Sequence, residues 1–210
     1  MRRGRLVSAL LAVIAASFAS ISPTRAQEPD PAAAARLMDD LMWGRARVGG
    51  PFTLVDHTGR TRSDADFRGK FLLVYFGYTF CPDVCPTDLQ QIGLAVDKLG
   101  TAGAAAQPLF ISVDPERDTT AVLAQYVALF HPRLIGLTGT PEQIQAAASA
   151  YKVYYARYKP PEGGDYVIDH TGFIYLMDGT GAFRGFFPPG TSADRMVEII
   201  RPLLPADPGH

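Results

Sequence analysis

The chain has 210 residues, 47% of them hydrophobic and 20% charged, with a formal net charge of -1. That is enough apolar material for a real core, in one domain plus a leader. No basic stripe points to nucleic acid, and two cysteines are too few for a disulfide scaffold.

Arg2, Arg3 and Arg5 precede an apolar run from Leu6 to Ile21, followed by Pro23 and Thr24-Arg25-Ala26. This pattern reads as a secretory signal or an uncleaved N-terminal membrane anchor over residues 1–26. The run is shorter than the roughly 20 apolar residues of a spanning helix. No cysteine follows it, which argues against a lipid-modified N-terminus. Cleavage after Ala26 would remove four arginines and leave a mildly acidic domain. Residues 27–47 are expected to form a tether, with a short helix over Ala33 to Trp43.

The domain, residues 48–204, opens at Gly49-Gly50-Pro51. Phe52 to Val55 and Arg60 to Ser63 predict a hairpin around the turn Asp56-His57-Thr58-Gly59. Phe71 to Phe76 is a continuous apolar run, the mark of a strand covered on both faces of an α/β sheet. Gly77-Tyr78-Thr79 breaks it, Cys81 and Cys85 follow, and a helix is predicted from near Asp88 with Leu89, Ile92, Val96 and Leu99 inward. Gly100 to Gln107 reads as a loop and Pro108 to Val113 as a second buried strand. Asp118 or Thr119 suits the N-cap of a helix reaching Phe130, where His131-Pro132 ends it. Leu134 to Leu137 is a brief strand, and Thr140-Pro141-Glu142 starts another helix, ending near Tyr151. Tyr151, Tyr154, Tyr155 and Tyr158 precede a loop over Lys159 to Asp165. They are either core packing or, with that loop, a partner surface. Phe173 to Met177 and Ala182 to Phe187 predict a hairpin, and Ser192 to Leu203 a last helix. Residues 205–210 read as a disordered tail. This order is a thioredoxin-like α/β fold, with an N-terminal β-hairpin and a loop or hairpin insertion before the third core strand.

Both thiols therefore sit where a core strand ends and a helix begins, the edge at which open α/β sheets bind ligands. A helix N-terminus also favours thiolate over thiol. A staple between Cys81 and Cys85 would close too short a loop to constrain much chain. Residues four apart share one side of a helical turn, so two thiolates converge on one centre. Soft thiolates select copper(I), or else zinc. A redox-active dithiol and two inert buried thiols remain alternatives at this point.

A third ligand to that pair is expected to be a histidine. His210 lies in the tail, and His131 caps a helix end. His57 and His170 sit in identical Asp-His-Thr-Gly tetrapeptides, both good turn chemistry. His57 belongs to the outer hairpin. His170 precedes the strand Phe173 to Met177, whose entry loop faces the cysteines in a thioredoxin-type fold.

Gly77-Tyr78-Thr79-Phe80-Cys81-Pro82-Asp83-Val84-Cys85-Pro86, then Ser112-Val113-Asp114-Pro115-Glu116-Arg117-Asp118-Thr119, then Tyr166-Val167-Ile168-Asp169-His170 resemble, in that order, the SCO/SenC copper chaperones of cytochrome c oxidase assembly. The resemblance implies a thioredoxin-like fold in a periplasmic domain, soluble or tethered to the inner membrane. It implies one copper ion, Cu(I) or Cu(II), held by Cys81, Cys85 and His170. The family turn equivalent to Asp56–Gly59 carries no ligand, which favours His170 over His57. Asp114 is then a supporting group behind the ligands, or simply a loop turn and cap. The implied partner is cytochrome c oxidase subunit II, which receives copper or has its cysteines reduced so that copper can enter. Another periplasmic copper chaperone or a thioredoxin-like reductase is a further implied partner. A monomeric domain is expected, not a classical enzyme.

Three other readings share these residues. A thiol–disulfide oxidoreductase needs only the cysteines, but reductases of this fold place a cis-proline where Asp169-His170-Thr171-Gly172 stands. A peroxiredoxin-type peroxidase would want proline at position 74, which is valine, and no second cysteine four residues on. A copper-responsive or redox signalling module would use the same site as a chaperone.

Overall fold

The computed structural model describes residues 47–161 and 163–204, with helical positions Ala32, Ala35, Arg36, Asp39 and Asp40. The leader, Trp43 with most of the tether, and the tail lie outside the described residues. Among the described residues, no helix is long and apolar enough to cross a membrane.

Strands β1 (Thr53–Asp56) and β2 (Thr61–Ser63) form the N-terminal hairpin. Its turn is built by Asp56, whose Oδ1 accepts from the Thr58 and Arg60 backbone N–H groups at 2.9 and 3.0 Å. Gly59 takes φ +85, a left-handed conformation that glycine adopts without steric cost.

The core then alternates strand and helix: β3 (Phe71–Gly77), α1 (Val84–Lys98), β4 (Ala106–Ser112), α2 (Thr120–Val127), β5 (Ile135–Thr138) and α3 (Pro141–Tyr151). A ribbon of β6 (Tyr155–Tyr158) and β7 (Val167–His170) follows, then β8 (Ile174–Met177), β9 (Phe183–Phe187) and α4 (Ala193–Ile200). The main sheet has seven strands in the order β2-β1-β5-β4-β3-β8-β9, with β3, β4 and β5 parallel and β8 antiparallel to β3. This is the expected thioredoxin-like arrangement. The continuous apolar run of β3 is explained by its central place: Leu72 to Gly77 are buried.

Side chains alternate along β3, so its two faces serve different helices. Tyr75 and Gly77 face α1, where a Cβ on Gly77 would lie 2.9 Å from Cys85 Sγ. Phe76 faces Tyr151 of α3, ring centroids 5.3 Å apart. Leu89, Ile92, Val96 and Leu99 are buried, as their spacing predicts. At the far side of α1, α4 packs against it, and Lys98 pairs with Asp194 at 2.5 Å.

Several expectations are corrected. Helix α1 starts at Val84 rather than near Asp88, so Cys85 and Pro86 are in its first turn, where proline's missing N–H costs nothing. Helix α2 stops at Val127, because Leu129 and Phe130 bond back three residues in tight turns instead of extending it to Phe130. Thr119, not Asp118, is its N-cap, accepting from Val122 N. Gly100–Ala105 is a 3-10 turn rather than an open loop. The insertion before the third core strand is a hairpin: the tyrosine-rich segment contains a strand, β6, that the sequence reading does not place, paired with β7. Tyr151 is core, Tyr155 reaches Gln145 with its hydroxyl, and Tyr154 and Tyr158 are exposed.

Candidate metal centre

The two cysteines flank the start of α1. Cys81 lies in the turn after β3, its N–H donating to the Tyr78 carbonyl at 3.2 Å, and is 9% exposed. Cys85 lies one helical turn deeper and is fully buried. Both are free thiols. His170, the last residue of β7, comes in from across the chain, and its Nε2 lies 3.3 Å from Cys85 Sγ.

The ligand atoms of Cys81, Cys85 and His170 all lie within 4.8 Å of one another. Metal–sulfur bonds of about 2.3 Å allow two sulfurs to be at most roughly 4.6 Å apart. The observed cluster is thus within a few tenths of an ångström, by that estimate, of closing on one ion. Its donor set, two sulfurs and an imidazole, fits a soft ion such as copper(I), or zinc.

The imidazole is oriented for this. Its Nδ1 lies 3.2 Å from the Thr171 carbonyl oxygen. A carbonyl only accepts, so Nδ1 carries the proton and Nε2 turns its lone pair toward the sulfurs. The ring edges are boxed by Tyr75 and Tyr78, with centroids 6.3 and 5.9 Å away and near-perpendicular planes.

The two thiols are held unequal. The hydrogen bond from Cys85 pulls the Cys81 thiol down; burial opposes this, and the backbone N–H groups of Asp83 and Cys85 assist it. Giving that hydrogen bond, and then burial, push the Cys85 thiol up. The pair therefore holds its protons unequally, the outer sulfur favouring the thiolate and the inner one the thiol.

Sequence reasoning missed three neighbours. Tyr75 and Tyr78, which read only as strand and turn residues, wall the imidazole. Asp88 is fully buried on α1, with Oδ1 accepting from Gly190 N at 2.8 Å. Its Oδ2 and the Tyr75 hydroxyl influence one another electrostatically but make no well-formed hydrogen bond among the described residues. Burial pushes the Asp88 carboxyl up, while Gly190 N–H pulls the other way. Its position directly after Cys85-Pro86-Thr87 was the available signal, but an acidic residue on a helix normally reads as solvated.

The other candidates lie elsewhere. His57 Nδ1 accepts from Gly136 N at 3.2 Å and secures the hairpin to β5. His131 is buried, accepts from Arg133 N at 3.0 Å and faces Asp97 at 3.2 Å, a helix-end role. His210 is outside the described residues. Asp114 is fully buried, but its carboxylate is taken up by Arg117, Arg157 and the Tyr166 hydroxyl rather than by a cysteine or His170.

Comparison with known proteins agrees with this architecture. The SCO1/SenC family model matches residues 42–205. The chain is 46% identical over 160 residues to the mitochondrial SCO2 homolog of Bos taurus, covering 75% of this chain and 60% of that protein's length. The copper-bound crystal structure of Arabidopsis thaliana ScoI superimposes with a TM-score of 0.69 at 40% identity, covering 73% of this chain and 95% of that one. Copper-bound Bradyrhizobium japonicum ScoI gives 0.68 at 41%, covering 74% and 98%. With this sequence similarity and this fold, the chain belongs to the SCO1/SenC family.

Proposed function

We propose that this protein carries one copper ion between the thiolates of Cys81 and Cys85 and the imidazole of His170, and hands it on during cytochrome c oxidase assembly. The observation that carries this reading is the convergence of two sulfurs and an imidazole within 4.8 Å at the C-terminal edge of a core strand. Support comes from the relatives solved with copper bound and from the three sequence motifs shared with the family. The recipient is the binuclear copper site of subunit II, and the leader at residues 1–26 exports or tethers the domain to the periplasmic side.

Release proceeds by associative exchange. A partner thiolate approaches from the solvent side, where Cys81 is the less deeply buried sulfur. It bonds to the copper before either sulfur leaves, so the cation is never bare. Cys85 recovers a proton as it departs, returning to the thiol that its buried surroundings favour. Copper keeps its oxidation state throughout, and no electron donor is needed.

The test is copper titration of the reduced full chain against Cys81→Ala, Cys85→Ala and His170→Ala, with cuprous and cupric ions measured separately. One ion per parent chain and loss in every variant is the expected result. Parent-like binding by His170→Ala removes the histidine from the ligand set and defeats the assignment.

A second reading, thiol–disulfide exchange on the same partner, is favoured by the unequal thiols: a sulfur pulled toward the thiolate beside a more deeply buried thiol is a nucleophile with its resolving partner. Catalysed reduction of a partner disulfide by the metal-free chain distinguishes it.

A further inference from the structure

His170 rides on β7, and among the described residues β7 pairs with β6 alone, in a two-stranded ribbon that shares no ladder with the main sheet. The cysteines are anchored to that main sheet through β3. The short link from His170 to Ile174, which pairs with Tyr75 of β3, ties one end of the ribbon to that sheet, but no ladder fixes the ribbon itself, and a two-stranded ribbon is marginal by itself.

Arg117 spans the gap. Its guanidinium lies 3.7 Å from the ring centre of Tyr166, just before β7, and its Nη1 donates to the Tyr166 carbonyl at 2.9 Å. On the other side the same group lies 4.8 Å from the Phe80 ring and 5.8 Å from the Tyr78 ring, both on the cysteine turn. Asp114 holds its Nε, and the other oxygen of Asp114 accepts from the Tyr166 hydroxyl at 2.8 Å. Four residues on from Asp114, Asp118 accepts from Thr79 N and Oγ1 at 3.0 and 2.6 Å. The loop from Asp114 to Asp118 is a bracket with an arm on each ligand-bearing segment. Arg117, only 17% exposed, is the member that contacts both.

We propose that Arg117 is a positioning residue of the metal centre: it sets how closely His170 approaches Cys81 and Cys85 without binding the ion itself. This rests on the copper-site reading above. The chemistry suits arginine in particular. A planar guanidinium stacks between aromatic rings while its edge N–H groups bond a carboxylate and a carbonyl, and the Asp114 carboxylate offsets its charge near a cation site. Lysine supplies the charge without the plane.

The experiment compares the full chain with Arg117→Met and Arg117→Lys. Cuprous affinity is read by competition with a chromophoric chelator, and the His170 ring is followed by nitrogen NMR in the metal-free chain. Arg117→Met is expected to lose about ten- to a hundred-fold in affinity, with Arg117→Lys between it and the parent. In the same order, the metal-free His170 ring signals move from the single Nδ1–H tautomer toward an averaged one. Parent-like affinity together with parent-like His170 signals in Arg117→Met overturns the proposal. If Arg117→Met fails to fold by circular dichroism, Arg117→Lys decides on the same two readouts. The copper reading fails separately, by unchanged cuprous affinity in Cys85→Ala. The metal-free ring signals still judge Arg117 in that case.

Discussion

Cys85 Sγ and His170 Nε2 lie 3.3 Å apart although 85 residues separate them in the chain. One partner is fixed on the first turn of α1 and the other at the end of a ribbon, so the contact measures how the two halves of the domain are set against each other.

Replacing His170 by alanine is therefore expected to cut copper affinity by about ten-fold or more while leaving the main sheet intact. Replacing His57 by alanine is expected to leave affinity unchanged and to lower the melting temperature slightly, because its ring accepts a hydrogen bond from Gly136 N. Chelator competition and thermal unfolding of both variants check the pair. Parent-like copper binding by His170→Ala, with loss in His57→Ala, reverses the assignment.

Copper uptake should release a proton, since the Cys85 thiol is pushed up and must ionise to bind a cation, while Cys81 is pulled down. The sign follows: raising pH removes the proton that competes with the cation, so affinity rises, by roughly ten-fold per pH unit while Cys85 alone is the competing acid. Calorimetry in buffers of different ionisation enthalpy counts the protons. Uptake with no proton release would contradict the unequal thiols.

Gly77→Ala is expected to damage both fold and site. The added Cβ would lie 2.9 Å from Cys85 Sγ, 3.0 Å from the Phe110 ring and 3.1 Å from the Tyr75 ring, all in the packed core. Overpacking of this kind costs about 1–3 kcal/mol, and the sulfur is one of the atoms that must move. Denaturant unfolding and copper competition should both shift. A variant destabilised with unchanged copper affinity would mean that the helix relaxes elsewhere.

Two buried carboxylates should give opposite pH dependence. At Asp56, burial raises the pKa, but hydrogen bonds from Thr58, Arg62 and Arg60 together outweigh it and leave it well below the usual carboxylate range. Its contribution to stability is complete above the ordinary value of 3.8 and is lost as pH falls below it. At Asp88, burial wins and the pKa is raised, so the charged form weakens the fold as pH climbs above 3.8. Asp56→Asn should thus lose stability at pH 7 and approach the parent in acid. Asp88→Asn keeps the acceptor for Gly190 N and should gain on the parent from acid to pH 8. Unfolding curves at several pH values test both signs.

Much of this architecture is written locally in the chain. The doubly buried β3 run, the inward face of α1 and the β8–β9 hairpin depend on periodicity and turn chemistry among near neighbours, and they are readable there. The spacing of Cys81 and Cys85 likewise sets both sulfurs at one helix start. The β6–β7 ribbon was readable only as a loop or hairpin insertion before the third core strand, not as two placed strands, because its pairing crosses an eight-residue connection, Lys159 to Tyr166, and its tyrosines are half exposed. Nor was the early start of α1, since proline in a first turn resembles proline in a loop. The clearest division is at the two Asp-His-Thr-Gly segments, whose tetrapeptides are identical. Local chemistry makes both of them turns. Long-range packing, which no tetrapeptide encodes, puts one imidazole on the Gly136 backbone and the other beside the sulfurs.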